Sequence, residues 1–213
     1  LCDIVFDDEE QKAVQKIIKS KWLTMGEITE SFEKEFAQYI GSEYVVAVNN
    51  CTSALHLAMC ALGICKGDEV IVPSISWATT YYPLQQYGLK LKFVDVELDT
   101  LNLDVLQLEN ALTPKTRMVA AVNVLGNPCH LNVIREFCDR HDLILFEDNC
   151  ESLGAELRDK QCGTFGDFGT FSFFFSHHIA TMEGGMLITD DEEIFHIAKS
   201  VRAHGWTRDI PDN

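Results

Sequence analysis

The stretch FSFFFSHHIATMEGG, residues 171–185, decides how this chain is interpreted. The aromatic run 171–175 predicts a buried strand that leads into a polar turn, Ser176-His177-His178. The acidic diglycine Glu183-Gly184-Gly185 permits a tight turn or a close backbone approach before a second apolar strand, 186–189. Paired histidines where a rigid strand meets an accessible loop are typical of an active site. The alternative is that both histidines are satisfied structural residues at a strand end.

Outside this stretch, apolar strand-like segments alternate with helical ones. The predicted strands are 44–48, 69–72, 91–96, 117–124 and 143–146, and the predicted helices between them are 54–62, 77–87, 103–112 and 131–141. Helices are also predicted over 8–20 and 28–40 at the start and over 191–204 at the end. This alternation predicts an α/β fold with a mostly parallel central sheet covered by helices on both faces.

Two polar segments lie where such a sheet binds ligands. Glu147-Asp148-Asn149 follows an apolar strand, so its carboxylates are expected at the carboxyl end of that strand. Cys51-Thr52-Ser53 leads from a strand into a helix, and the free amides and hydroxyls of a helix N-terminus suit a phosphate group. The alternative is that Thr52 and Ser53 only cap the helix.

Composition excludes several classes of function. The 213 residues carry a net charge of −16 with scattered basic residues, which argues against nucleic acid as a partner. We find no apolar run long enough to span a membrane and no signal peptide, so we expect a cytoplasmic protein. Eight cysteines without a CxxC spacing favour reduced, buried thiols over disulfides, and no metal is expected.

The order of several separated motifs resembles one family. WLTMG, FEKEFAQYIGSEYVVAVNNCTSALHLAM, GDEVIVPSISWATT, FEDNCESLGA and FGTFSFFFSHHIATMEGGMLITDD resemble the DegT/DnrJ/EryC1/StrS sugar aminotransferases, which are fold type I pyridoxal phosphate enzymes. The resemblance covers essentially the whole chain. It implies that residues 1–213 form the cofactor-binding large domain, and that this chain is a fragment lacking a smaller C-terminal domain. It also implies a homodimer with shared active sites.

The resemblance also assigns residues to the cofactor, pyridoxal 5′-phosphate or its amino form, pyridoxamine 5′-phosphate. Trp77 would stack on the cofactor ring, Asp148 would pair with the ring nitrogen, and Glu151 would lie near the ring hydroxyl, where aminotransferases of the family usually have Gln. The residues implied for the phosphate are Cys51, Thr52, Ser53 and Ser172. Cys51 departs from the family, which usually has Gly at this position.

His177 occupies the position of the lysine that binds the cofactor covalently in aminotransferases of the family. SHHIATMEGG instead resembles the sugar 3-dehydratases of the family, which implies loss of the C3 hydroxyl from a nucleotide-linked 4-keto-6-deoxy sugar in deoxysugar biosynthesis. The resemblance favours GDP-4-keto-6-deoxymannose as this substrate and glutamate as amino donor. Imidazole titrates near neutrality, so His177 is the expected catalytic acid and base, with His178 in a supporting role.

Three other functions stay open at this point. An aminotransferase is disfavoured by His177. An iron–sulfur 3-dehydratase acting on CDP-4-keto-6-deoxyglucose would use Cys150, but it needs a Cys-x-Cys pair where this chain has Arg208-Asp209-Ile210. A non-catalytic binding protein would have no need for a carboxylate at the ring nitrogen.

Overall fold

A seven-stranded sheet lies at the centre of the computed structural model, which describes residues 6–207. Across the sheet the strand order is β1-β9-β8-β5-β4-β2-β3. The strands are Tyr44–Val48 (β1), Glu69–Pro73 (β2), Lys90–Val94 (β3), Thr116–Val122 (β4), Ile144–Asp148 (β5), Phe168–Ser172 (β8) and Gly185–Thr189 (β9). A separate small hairpin pairs Glu156–Leu157 (β6) with Lys160–Gln161 (β7).

Helices cover both faces of this sheet. They are Asp8–Ser20 (α1), Glu27–Ile40 (α2), Cys51–Ala61 (α3), Ala78–Tyr87 (α4), Leu108–Ala111 (α5), Leu131–His141 (α6) and Glu192–Arg202 (α7). Because side chains alternate along a strand, Phe146 packs with α3, α4 and α7 on one face, and its neighbour Leu145 packs with α5 and α6 on the other. Helix α2 covers the far end of that second face through Phe36 and Ile40. The predicted fold class is confirmed.

The strand directions bring distant loops to one edge of the sheet. Strands β8, β5, β4, β2 and β3 pair in parallel. Strand β9 is antiparallel to both β8 and β1, so β1 runs in the same direction as the parallel strands. The carboxyl ends of β1, β2, β5 and β8 therefore lie along a common edge, which we call the carboxyl edge. This is where open α/β sheets bind their ligands.

Local signals fix the helices that begin at this edge. Asn50 caps α3, with its side-chain oxygen accepting the Ser53 amide at 2.8 Å. Helix α4 begins after Trp77 and ends at Gly88, whose φ of 95° suits a residue without a side chain. The Asn50 cap sets where α3 starts, and Gly88 sets where α4 ends.

Several predicted boundaries were wrong. The strand predicted over 171–175 ends at Ser172, and Phe174 and Phe175 are exposed. The helix predicted over 103–112 is only a 3₁₀ turn, Val105–Gln107, followed by the short α5. Trp77 precedes α4 instead of lying within it.

The prediction of mostly buried thiols holds for only part of the described chain. Cys51, Cys129, Cys138 and Cys162 are buried, Cys150 is half-buried, and Cys60 and Cys65 are exposed. All seven are free cysteines. Cys2 and residues 208–210 lie outside the described residues.

Candidate active site

Asp148, the last residue of β5, is held from two sides at the carboxyl edge. The Thr80 hydroxyl donates a hydrogen bond to Asp148 Oδ2 at 2.7 Å, and the Cys150 amide donates to Oδ1 at 3.2 Å. Thr80 is in turn 2.9 Å from the Ser76 hydroxyl. Asp148 is buried, so these bonds orient a carboxylate that water scarcely reaches. Such a carboxylate is suited to pair with a cationic ligand atom.

Glu147, one residue earlier, points to the opposite face of the sheet. Its carboxylate accepts hydrogen bonds of 2.7 Å from the amides of Gly163, Phe165 and Gly166, and it is fully buried. Burial raises the pKa of the Glu147 carboxyl, and the three amide donors oppose that rise. Glu147 therefore organises the 163–166 loop, and of the two neighbouring acids only Asp148 faces the site.

The N-terminus of α3 lies against the start of β9. Gly185 pairs with Val48 on one side and Ser172 on the other, and a Cβ added to Gly185 would overlap the backbone of Asn50 and Cys51. The close backbone approach expected of the diglycine is thus present at Gly185. It leaves the first amides of α3 at the carboxyl edge, in the arrangement that favours an anion.

Thr52 and Ser53 occupy the first turn of α3, and both are partly exposed. Because Asn50 provides the cap, the alternative that these two residues cap the helix is wrong. Cys51, the first residue of the helix, is buried. Among the described residues no hydrogen bond engages the Thr52 or Ser53 hydroxyl, so both are available to a ligand.

Trp77 and Ser172 flank the same edge. The Trp77 side chain is 77% exposed at the start of α4, which leaves a flat indole surface open for stacking. Ser172 ends β8 two residues beyond Thr170, the residue that pairs with Asp148. Its hydroxyl accepts the Phe174 amide at 3.3 Å. These two side chains extend the group around Asp148.

His177 lies in the turn after β8 and is half-buried, whereas His178 is exposed. Burial lowers the pKa of His177, the charges of Glu151 and Asp148 oppose this shift, and the electrostatic interaction with His178 adds to it. The Nδ1 atom of His177 is buried and has no hydrogen-bond partner among residues 6–207. A neutral imidazole with an unpaired nitrogen is suited to accept a proton.

Glu151 follows β5 in the chain and its side chain reaches the loop after β4. Its Oε2 accepts the amide of Leu125 at 3.0 Å. Leu125 has a φ of 51°, which a residue with a branched side chain rarely adopts. The Glu151 carboxylate is the first of the charges that raise the pKa of His177, so it lies within electrostatic reach of the imidazole.

The thiols of Cys51 and Cys150 are in contact beside Asp148. The sulfurs of Cys51 and Cys150 are 3.2 Å apart although the residues are 99 positions apart in the sequence. The hydrogen bond to Cys51, together with burial and the charge of Asp148, raises the pKa of Cys150 well above its ordinary value. Ligand atoms of Cys51, Cys150 and Asp148 lie within 4.8 Å of one another, the one group of this kind in the described part of the chain.

The structure thus gathers the residues predicted for the cofactor along one edge, although they come from four separate segments, 51–53, 77, 148–151 and 172. Sequence reasoning missed Thr80 and Ser76, which hold Asp148. The hydroxyl-rich run SISWATT at the start of a helix could have indicated them. A cavity of about 730 Å³ adjoins this edge, and Ser53, Glu183 and Gly185 contribute to its lining.

Comparison with known proteins identifies the fold type and the family of this chain. Solved structures of fold type I pyridoxal phosphate enzymes superpose on the chain, so the chain has that fold. The profile of the DegT/DnrJ/EryC1/StrS aminotransferase family matches residues 5–212. The chain belongs to this family.

The curated relatives include dehydratases and other sugar-nucleotide enzymes. The GDP-4-keto-6-deoxy-D-mannose 3-dehydratase of Yersinia pseudotuberculosis is 52% identical over 218 residues, covering 100% of this chain and 56% of the relative. The GDP-perosamine synthase of Caulobacter vibrioides is 38% identical over 200 residues, covering 93% of this chain and 54% of the relative. The chain therefore spans about half the length of the curated relatives it matches.

Solved structures give the same picture. Escherichia coli GDP-4-keto-6-deoxy-D-mannose-3-dehydratase with bound hydrated PLP has a TM-score of 0.93 and 51% identity, covering 99% of this chain and 56% of that one. The aminotransferase PseC of Helicobacter pylori has a TM-score of 0.92 and 29% identity, covering 95% and 55% of the two chains. Dehydratase and aminotransferase thus share this fold, and the site must distinguish them.

Proposed function

We propose that this chain is the cofactor-binding large domain of a pyridoxal phosphate-dependent sugar-nucleotide 3-dehydratase. One observation carries the proposal: the turn after β8 holds a half-buried histidine with an unpaired Nδ1, and residues 171–185 contain no lysine. A lysine there would bind the cofactor covalently as an imine, whereas an imidazole has no primary amine to form that bond and can serve as an acid and base. The similarity to curated GDP-4-keto-6-deoxy-D-mannose 3-dehydratases supports the same choice.

The residues at the carboxyl edge fit the proposed cofactor. Asp148 offers an oriented carboxylate to the ring nitrogen, and Trp77 offers its indole to a ring face. The α3 N-terminus, with Thr52 and Ser53, offers amides and hydroxyls to the phosphate. Gly185 allows β9 to lie close to this helix start, because a larger side chain there would clash with the helix backbone. Ser172 and Glu151 complete the set. The amino form of the cofactor would supply the amine that reacts with the C4 ketone and a ring that takes up electrons.

The protein groups would then move and hold protons. His177, whose pKa burial lowers, would accept a proton on its imidazole and return it to the departing C3 hydroxyl, which would leave as water. Asp148 keeps a proton on the ring nitrogen. Glu151 stabilises the imidazolium form of His177 while the proton is held there. Glutamate is the proposed amino donor, and the proposed product is a 3-deoxy-4-keto sugar with release of ammonia.

The GDP-linked sugar is proposed only from the similarity to relatives, one of which is a variant of the 3-dehydratase solved with bound GDP-perosamine.

We also propose a homodimer with shared active sites. Exposed apolar side chains surround the carboxyl edge, and a second copy would cover them; they are Ile75, Leu125, Phe174, Phe175, Ile179 and Met182. A smaller second domain would close the cleft.

We propose a cytoplasmic location, where free thiols stay reduced. No helix among residues 6–207 combines the length and the apolar character needed to cross a bilayer.

The proposed function is tested with the full-length protein, pyridoxal phosphate, glutamate and GDP-4-keto-6-deoxymannose, with no reductase present. Mass spectrometry should find a product lighter by one oxygen atom, and ammonia should be released. Replacement of the keto oxygen by an amine would refute the proposal in favour of an aminotransferase. His177→Asn, which cannot exchange protons near neutral pH, should abolish water loss but retain cofactor binding.

A further inference from the structure

Thr80 makes the shortest side-chain contact to Asp148, a hydrogen bond of 2.7 Å. We infer that Thr80 is a positioning residue: its hydroxyl fixes the plane of the Asp148 carboxylate so that an oxygen lone pair remains directed at a protonated pyridine nitrogen. The inference rests on the proposed function, because it concerns the pairing of Asp148 with the proposed cofactor.

The direction of the hydrogen bonds follows from counting hydrogens. An ionised carboxylate has none to give, so the single hydroxyl hydrogen of Thr80 points to Asp148 Oδ2. The 2.9 Å contact between Ser76 and Thr80 must then be donated by Ser76. The three residues form a chain in which each hydroxyl donates toward the carboxylate, and Ser76 holds the Thr80 oxygen in place.

Both oxygens of the Asp148 carboxylate accept hydrogen bonds. Thr80 donates to Oδ2 and the Cys150 amide donates to Oδ1, so rotation of the carboxylate would weaken both bonds. Each oxygen accepts about two hydrogen bonds, which leaves capacity for a ring N–H. Thr80 is 2% exposed and Asp148 5% exposed, so water is poorly placed to replace a lost hydroxyl.

Helix α4 links the hydrogen bond from Thr80 to Asp148 with Trp77, the residue proposed to stack on the cofactor ring. Thr80 lies three residues after Trp77, about one helical turn, and its amide donates to the Trp77 carbonyl at 3.0 Å. Trp77, at the N-cap, and Thr80, in the first turn, therefore belong to one rigid unit, in which the indole is exposed and the hydroxyl is bonded to Asp148. The backbone of α4 does not need the Thr80 hydroxyl, which makes the hydroxyl separable from folding.

The experiment compares two ligands of the full-length apo-protein. Dissociation constants are measured for pyridoxal phosphate and for its 1-deaza analogue, in which a carbon replaces the ring nitrogen. The wild-type protein should prefer pyridoxal phosphate. In Thr80→Val this preference should fall about tenfold, as expected for the loss of one hydrogen bond to a charged group, with the affinity for the analogue unchanged. Thr80→Ser, which keeps the hydroxyl, should restore the preference.

Two further variants keep the test decisive. Thr79→Val changes the neighbouring exposed threonine and should leave the preference intact. Ser76→Ala removes the second link only and should lower the preference about threefold, even if Thr80→Val fails to fold. Equal weakening of both ligands by Thr80→Val would show a structural role and overturn the inference. A wild-type protein without any preference would instead remove the proposed pairing with Asp148, and the inference with it.

Discussion

Gly185 allows a test of how the carboxyl edge is built. The change is Gly185→Ala, which adds one carbon atom between β9 and the start of α3. That carbon would overlap the backbone of Asn50 and Cys51 and lie 2.7 Å from the Asn50 carbonyl oxygen. Backbone atoms in a capped helix start cannot rotate away as a side chain can. Either β9 or α3 must therefore shift.

Overpacking of this kind costs about 2 kcal/mol of the free energy of unfolding. For a chain of this size that corresponds to a fall in melting temperature of about 6 °C. The shift also displaces the first amides of α3, so binding of pyridoxal phosphate should weaken more than stability alone would explain. Thermal unfolding followed by circular dichroism measures the first effect, and titration of the apo-protein measures the second.

Gly184→Ala is the matched control because the added carbon meets mainly a side chain. Its contacts are Thr181 Oγ1 at 2.5 Å and Phe173 Cβ at 3.3 Å, and the threonine side chain can move if its exposed hydrogen bond to the Glu183 carbonyl is given up. We expect a loss below about 1 kcal/mol, in the range of tolerated packing changes. The reasoning is refuted if Gly185→Ala melts at the wild-type temperature and binds the cofactor normally, or if the two variants behave alike.

Two further predictions concern titratable groups. The acid limb of the pH profile of kcat/KM should report a His177 pKa below the usual histidine value of about 6.5. Glu151→Gln should move that limb to lower pH, because the substitution removes a charge that raises the His177 pKa. A move to higher pH would contradict the assignment. Exposed Cys60 and Cys65 should react with a thiol reagent in the native protein, whereas Cys138 and Cys162 should react only after unfolding, because burial raises the pKa of each to about 12. Mass spectrometry of the labelled peptides decides this.

The sequence predicts the fold well because the alternation of strands and helices is a local signal. It fails where the end of an element depends on tertiary contacts. The aromatic run 171–175 predicts a strand throughout, yet β8 ends at Ser172 because the chain turns, with the His177 amide bonded to the Phe174 carbonyl at 3.0 Å. The hairpin of β6 and β7 has two residues in each strand, too few to show a period.

Within the candidate site, residue type and order point to Asp148 and His177, because Asp148 ends a strand and His177 follows one. Contacts between distant segments give no such signal. Thr80 and Asp148 are 68 positions apart, and Cys51 and Cys150 are 99 positions apart. These pairs depend on which strands become neighbours in the sheet, and one sequence does not specify that. The roles predicted for the cofactor residues stay predictions.

Strand β5 ends in two acidic residues that face opposite sides of the sheet and have different roles. This arrangement restricts which insertions and deletions the strand can accept. Because side chains alternate along a strand, inserting one residue within β5 would move Glu147 to the place that Asp148 now occupies. The longer side chain would then enter the site, and the 163–166 loop would lose the carboxylate that gathers its amides. Length changes should therefore be tolerated in the loops between elements but eliminated by selection in this strand.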